Sequence, residues 1–302
     1  MATTFVDKIY TQEVLRAFTA GLAPLNAFSK SYSPEARRKG DAIIIPRVDA
    51  LSTTTFAYAN NSGSPYETEG GVIAAITLNL DQHQIVGVDI TDVQYASSGS
   101  SDIINFAQNQ GRALARKCIG NIFGLLSIAN FGNAAATAVS IANTGLTQIR
   151  AARKTLVDRQ VPMENVSLVA SSELYQSLLG DSNVTNAFNF GGSEAVREAR
   201  IPRLYGMNTY ETNALPLGGT LSLIGFLAHP DSIALAVRTL QPQDAGDSYL
   251  AVETVVDEET GLGFTYRRHF NPGKGRHFAS VECLFGFATA LTLGIGLLRK
   301  AD

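Results

Sequence analysis

The sequence predicts an α+β fold, and three observations carry that prediction. Ser101–Ser127 has helical periodicity, Ile76–Ile90 alternates apolar and polar residues with the period of a strand, and the segment from about Thr144 to Arg238 switches between the two patterns. The first stretch organises the rest. Ile103, Ile104, Ala107, Leu114, Ala115, Cys118, Ile122, Leu125 and Leu126 form one apolar stripe, with Asn105, Gln108, Asn109, Arg112 and Arg116 between them on a wet face. Ser100 or Ser101 can cap the first turn, and Asp102 suits the positive end of the helix dipole. At 1.5 Å per residue such a helix runs about 39 Å. Gly111, Gly120 and Gly124 each weaken it by about 1 kcal/mol. Close packing against a sheet or a neighbouring chain must therefore stabilise it.

Ahead of this helix, Thr11–Ala20 reads as a short helix with Val14, Leu15 and Phe18 on one side, followed by an irregular run through Pro24, Ser31, Ser33 and Pro34. So few apolar residues make an arm that lies on other surfaces, its own chain's or a neighbour's. Ala42–Val48 is a short strand ended by Pro46, and Asp49–Gly71 is rich in Thr, Ser, Asn and Gly. Thr53–Ala59 has strand character and Asn60–Pro65 is a turn cluster, which together describe a long projecting hairpin. A lone two-stranded ribbon is marginal in water, so one this long implies a partner surface.

Beyond the long helix, Ala129–Ala142 reads as loop and weak strand. Thr147–Gln160 is a helix closed by Pro162; Val166–Ala170 is a buried strand; Ser171 or Ser172 caps a helix to Leu179. Asn183–Gly192 is a polar loop, and Met207–Thr212, Leu221–Leu227 and Ile233–Arg238 are strands of one compact α/β unit with a central sheet. Tyr249–Val256 and Phe264–Phe270 make a second hairpin about the turn Asp257–Gly261, and Val281–Leu298 supplies closing strands or a strand and turn.

The 302 residues suffice for a large core, and 45% hydrophobic with 17% charged residues is a globular composition. A net charge of -3 argues against a dedicated nucleic-acid binder. Cys118 and Cys283, both in apolar surroundings, read as buried thiols of a reducing compartment. No signal peptide is legible in Met1–Tyr10, and Val281–Leu298 is too interrupted by Glu282, Gly and Thr to span a membrane. A soluble, cytoplasmically made protein is expected.

Catalytic motifs are lacking. Pro272-Gly-Lys-Gly275 has neither the leading glycine nor the hydroxyl of a phosphate loop, and Gly261-Leu-Gly263 reads as a hairpin bulge. His83, His229, His269 and His277 have no metal-ligand spacing, and Asp257, Glu258 and Glu259 read as a solvated turn. Tyr266–Phe270 with Arg276–Phe278 interleaves bases and aromatics. That pattern suits a nucleic-acid surface or, better with this net charge, a strand whose arginines pair with acids of a neighbouring subunit. No catalytic, cofactor-binding or metal-ligating residue is assigned.

Three motifs then resemble a known family. They are Gly206-Met-Asn-Thr-Tyr-Glu-Thr-Asn-Ala-Leu-Pro216, Ile224-Gly-Phe-Leu-Ala-His-Pro-Asp-Ser-Ile-Ala-Leu-Ala236 and Asp257-Glu-Glu-Thr-Gly-Leu-Gly-Phe-Thr-Tyr-Arg267. With the order of elements over nearly the whole chain, they resemble tailed-bacteriophage major capsid proteins of the Hong Kong 97-type fold. The resemblance implies an N-terminal arm at 1–40, a peripheral-domain strand at 41–48 and an extended loop at 49–75. The peripheral domain with its spine helix 101–127 would follow at 76–133, then an axial domain at 134–245. Residues 246–302 would return through peripheral strands to a closing axial strand.

It further implies hexamers and pentamers of an icosahedral shell around double-stranded DNA contacted non-specifically, in a virion capsid assembled in the host cytoplasm. Portal, a separate scaffolding protein and a decoration protein are the implied partners, with no membrane and no enzymatic activity. The extended loop would present Thr53, Phe56, Tyr58, Tyr66 and Glu67 to a neighbour, and Arg267 and Arg268 would form inter-subunit salt bridges. No lysine lies between Lys39 and Lys117, so no lysine–asparagine cross-link from the loop is expected. Nor is a cleaved scaffolding segment or an inserted domain expected. An encapsulin-like nanocompartment shell is the alternative, and a cytosolic α/β enzyme a more distant one.

Overall fold

A computed structural model describes residues 5–29, 42–48, 73–91, 100–132, 136–139, 146–181, 203–216, 222–240, 249–257 and 261–300, with the single positions 93, 184 and 201. The first helix, α1 (Phe5–Gly21), is longer than its Thr11–Ala20 core suggests. Tyr10, Val14, Phe18 and the following Leu22 and Leu25 are all buried, so tertiary contacts extend a helix that local apolar content alone does not mark.

Strand β1 (Ala42–Val48) pairs antiparallel with β2 (Ile73–Asn79). Pro46 does not end β1 but sits inside it opposite Ala75. Among the described residues β1 has β2 as its only sheet neighbour, and an edge strand tolerates a residue without an N–H. The stretch read as one strand, Ile76–Ile90, is two: the chain turns at Leu80–Asp81 and β3 (Gln82–Thr91) enters a different sheet.

The long helix α2 covers Ser100–Phe123 and stops short of the expected Ser127. At Gly124 the ladder tightens: Leu125 N–H donates to Ile122 C=O and Leu126 N–H to Phe123 C=O. Ser127 then caps the next short helix, α3 (Ile128–Phe131), its side chain accepting from Asn130 N–H at 3.3 Å. The cost of Gly111 is recovered against α1. A Cβ at that position would lie 2.6 Å from the Val14 carbonyl oxygen, and one at Gly21 would lie 2.7 Å from Ala115 Cβ. Glycine at both points lets the two helices approach to backbone contact.

Next come β4 (Ala136–Val139), α4 (Leu146–Asp158), β5 (Ser167–Ser171), α5 (Ser172–Leu179), β6 (Arg203–Leu204), β7 (Met207–Thr212) and β8 (Leu223–Ala228). β5 is buried along its whole length, and Ser171 is the residue that caps α5, accepting from Leu174 N–H. The chain closes with β9 (Ile233–Arg238), β10 (Ala251–Val256), β11 (Gly263–Asn271), β12 (Arg276–Thr289) and β13 (Ile295–Lys300).

Two larger sheets result. One has the order β4-β13-β8-β5-β7-β6, with β5 parallel to β7 and β13 parallel to β4. The other runs β10-β11-β12-β3, with β9 paired to the far half of β12 through Leu284–Thr289. Strand β9 was expected in the α/β sheet and lies in this second one instead. Its alternation explains the placement: Leu235 and Val237 join the core under the helices, while Ala234 and Ala236 face Ile43, Ile45 and Leu78 of β1–β2. A strand covered on both faces need not share the sheet of the strand before it. Gly286 of β12 admits the Asn79 carbonyl, with which a Cβ would collide.

The main core spans both sheets. Phe226 of β8 stacks on Phe28 at 5.9 Å and meets Phe123 of α2 edge-on at 5.3 Å. A second core under α4 and α5 contains Ile149, Leu156, Leu168, Leu174 and Leu178.

Candidate functional site

Titratable groups are the first place to look for chemistry, and here they are engaged in structure. His83 Nε2 lies 3.2 Å from Glu282 Oε2; His269 stacks on Phe278 at 5.2 Å; His277 rests against Phe270 at 4.9 Å; His229 Nδ1 accepts from Asp231 N–H. No group of three or more His, Cys, Asp or Glu able to hold a metal ion occurs among the described residues. Cys118 and Cys283 are both buried and free. Hydrogen bonding to Cys118, then burial, raises the Cys283 thiol well above its ordinary value. Protonated thiols are poor nucleophiles. The Asp257 turn closes the β10–β11 hairpin, with Gly261 at φ 67° donating to the Asp257 carbonyl; Glu258 and Glu259 lie outside the described residues.

The two arginines expected to bridge subunits find carboxylates on their own chain. Arg268 pairs with Asp7 at 3.1 Å, and Asp7 is only 2% exposed. Tyr266 donates to the other oxygen of Asp7 at 3.3 Å, and its ring packs 5.3 Å from that of Tyr10. Burial raises the pKa values of both tyrosines, and the Asp7 charge adds to the effect on Tyr266. On the opposite face of β11, Arg267 is paired with the buried Glu282, which also meets His83.

Gln110 of α2 completes the seam. It accepts from Tyr10 Oη and donates to the carbonyls of Val86 at 3.2 Å and Ala279 at 2.9 Å, linking α1, α2, β3 and β12. The sequence reading missed Asp7, Glu282 and Gln110 as ties. Signals existed for Gln110, a lone amide in an apolar stripe between Ala107 and Leu114, and for Glu282, a lone charge in the apolar run from Val281.

Two surfaces remain unfilled. The outward face of β1–β2 exposes Ala42, Ile44, Pro46, Ala75 and Thr77, with Ile44 68% exposed. Val48 and Ile73 are register partners, so the chain leaves and re-enters this ribbon at one point. Thr53, Phe56, Tyr58, Tyr66 and Glu67 all belong to the intervening segment and lie outside the described residues. The second surface is a groove between α1 and α2. It comprises an open cleft of about 410 Å³ continuing into another of about 450 Å³, with Ala20, Gly21 and Arg112 shared by both.

The sequence matches no protein-family model and no curated protein. The fold does find solved counterparts. A structure from Mycobacterium phage Che8 superposes with a TM-score of 0.58 at 18% identity, covering 90% of this chain and 89% of that one. The capsid structure of Cyanophage P-SCSP1u gives 0.57 at 17% identity, over 87% and 84% of the two chains. The asymmetric unit of the bacteriophage PhiM1 mature capsid gives 0.58 at 11% identity, over 87% and 83%. The chain therefore has the mixed helix-and-sheet fold of phage capsid structures, to which its sequence motifs also pointed.

Proposed function

We propose that this chain is a structural subunit that self-assembles into the hexamers and pentamers of an icosahedral phage shell around double-stranded DNA. The observation that supports the reading is similarity to phage capsid structures across more than four-fifths of both chains. Under this reading residues 1–40 are the N-terminal arm, α2 is the spine helix and the β10-β11-β12-β3 sheet with β9 is the peripheral domain. The six-stranded sheet, with α4 and α5, is the axial domain that surrounds the symmetry axes.

Residues 49–75 are then the extended loop, with Thr53, Phe56, Tyr58, Tyr66 and Glu67 as neighbour contacts. The common root at Val48 and Ile73 and the apolar outer face at Ile44 support that role. A closed shell built from one chain needs several complementary surfaces on each copy. Arg267 and Arg268, engaged within the subunit, serve intersubunit contacts only by sharing their carboxylates. Portal, scaffolding and decoration proteins are the remaining partners of this reading.

Negative-stain microscopy with sizing chromatography of the purified chain, alone and with a co-expressed assembly protein, tests it. Closed shells or five- and six-membered rings are expected; a monomer under every condition overturns it. The nucleic-acid content of purified shells then separates a virion from a protein-filled compartment.

A further inference from the structure

The groove between α1 and α2 is lined by three arginines, Arg16, Arg112 and Arg116. All three side chains are exposed. Arg267, Arg268 and Arg276 each hold a carboxylate. Among the described residues no acid pairs with Arg16, Arg112 or Arg116; Arg150 and Arg203 likewise bond neutral groups, Thr147 and Asn208, and what sets the three apart is that they line one groove. Arg112 and Arg116 stand four residues apart on one face of α2, where like charges repel until an anion bridges them. The groove also contains Glu13, which accepts from the Gln108 amide at 3.1 Å, and Glu211; among the described residues neither forms an ion pair with the three arginines.

The lining beside the arginines combines apolar Ala20, Pro24 and Ile119 with polar Ser172, Thr212 and Asn213. From Gln108 to Ile119 the trough follows α2 for about 16 Å, the reach of about five extended residues. Its apolar part takes small apolar side chains, and guanidinium groups in a fork geometry select carboxylates or phosphates. A phosphodiester backbone carries a charge at every nucleotide and has nothing to set against Ala20, Pro24 and Ile119, so a segment that spaces its carboxylates with apolar side chains fits this lining better.

We infer that the α1–α2 groove docks a short acidic, partly apolar segment of a partner protein, its carboxylates held by Arg16, Arg112 and Arg116. The partner's place in assembly rests on the shell reading above, while the groove's preference is measured on unassembled chain. The two therefore fail separately.

The test uses the full-length subunit and fluorescence anisotropy of three labelled probes: a short peptide alternating glutamate and leucine, its lysine–leucine counterpart, and a short DNA duplex. The glutamate peptide should bind, and added salt should weaken it. In Arg112→Ala/Arg116→Ala its affinity should fall by roughly tenfold or more, the loss of at least one charge-assisted hydrogen bond. Arg112→Lys/Arg116→Lys should recover part of that loss. Both changes are at exposed positions, and an unchanged melting curve confirms an intact fold. Three results each overturn the inference: equal peptide binding by the alanine variant, preferential binding of the duplex, or loss of self-association by the alanine variant with no peptide present. The second would make the groove a nucleic-acid contact, and the third a contact between copies of this chain.

Discussion

The two large sheets are stabilised by different means. Under the six-stranded sheet the core of α4, β5 and α5 is built on a dry apolar cluster: Ile149, Leu156, Leu168, Leu174 and Leu178 are fully buried, with Ser167, Ser171, Asp181 and Thr212 buried in or beside the same elements. The five-stranded sheet is instead pinned to its helices by buried polar groups, Asp7 with Arg268 and Tyr266, and Gln110 with two backbone carbonyls. Apolar burial is graded and tolerates repacking, but a buried charge deprived of its partner is not rescued by its neighbours. The first region should therefore lose stability in proportion to volume removed, and the second abruptly.

The largest effect should come from charging the seam where it is apolar. Leu114, fully buried on α2, becomes an unpaired buried charge in Leu114→Asp, which should abolish folding. Soluble chain with a normal circular-dichroism spectrum would refute the buried face. Asp7→Ala, which strands Arg268, should cost about 3–5 kcal/mol in chemical denaturation. The double variant Asp7→Ala/Arg268→Ala should be less damaged than the sum of the two single changes. Additive losses would show that the pair is not coupled.

On the dry side, Leu156→Ala should cost about 2–5 kcal/mol, set by the cavity left behind. Raising the pH sharpens the comparison. Tyr10 and Tyr266 both have pKa values raised on folding, chiefly by burial. Their contribution is complete below the ordinary tyrosine value of about 10 and falls progressively as pH rises above it. Stability should decline above that pH, and Tyr10→Phe/Tyr266→Phe should flatten the decline. An unchanged alkaline profile in that variant would assign the loss elsewhere. The smallest effect is expected at the exposed pair Lys154–Asp158, where Lys154→Ala should change stability by about 0.5 kcal/mol or less.

The same division decides what the sequence made legible. Elements with a strict local period announce themselves: the bounds of β7 and β9 and one of the two candidate caps of α5, Ser171, follow from local pattern, because each residue's face is set by the period of its own strand or helix. Sheet membership does not follow. The assignment of β9 depends on which surfaces meet Ala234 and Ala236, and no local window contains β1 or β12. The end of α2 depends on a choice at Gly124 between a longer helix and a new cap at Ser127, which are close in intrinsic preference. The candidate surfaces divide similarly. Residues 49–71, whose composition reads as a projecting segment, lie outside the described residues, whereas Arg267 and Arg268 were visible as charges but their partners lay at Glu282 and Asp7, distant in sequence or on another element. The groove on α1–α2 was invisible for the same reason: its arginines belong to two helices distant in sequence, whose close approach at Gly111 and Gly21 no local window contains.

The Asp7–Arg268 pair joins residues 261 positions apart, which gives the subunit a timetable. During synthesis α1 emerges first and acquires an apolar partner once α2 is complete. Its buried carboxylate has no counter-charge until β11 follows, roughly ten to thirty seconds later at ordinary elongation rates. Through that interval α1 cannot seat fully, since doing so would dehydrate Asp7 alone. The last third of the chain thus licenses the docking of the first helix, and a truncated product ending before Arg268 would carry an α1 that never locks down.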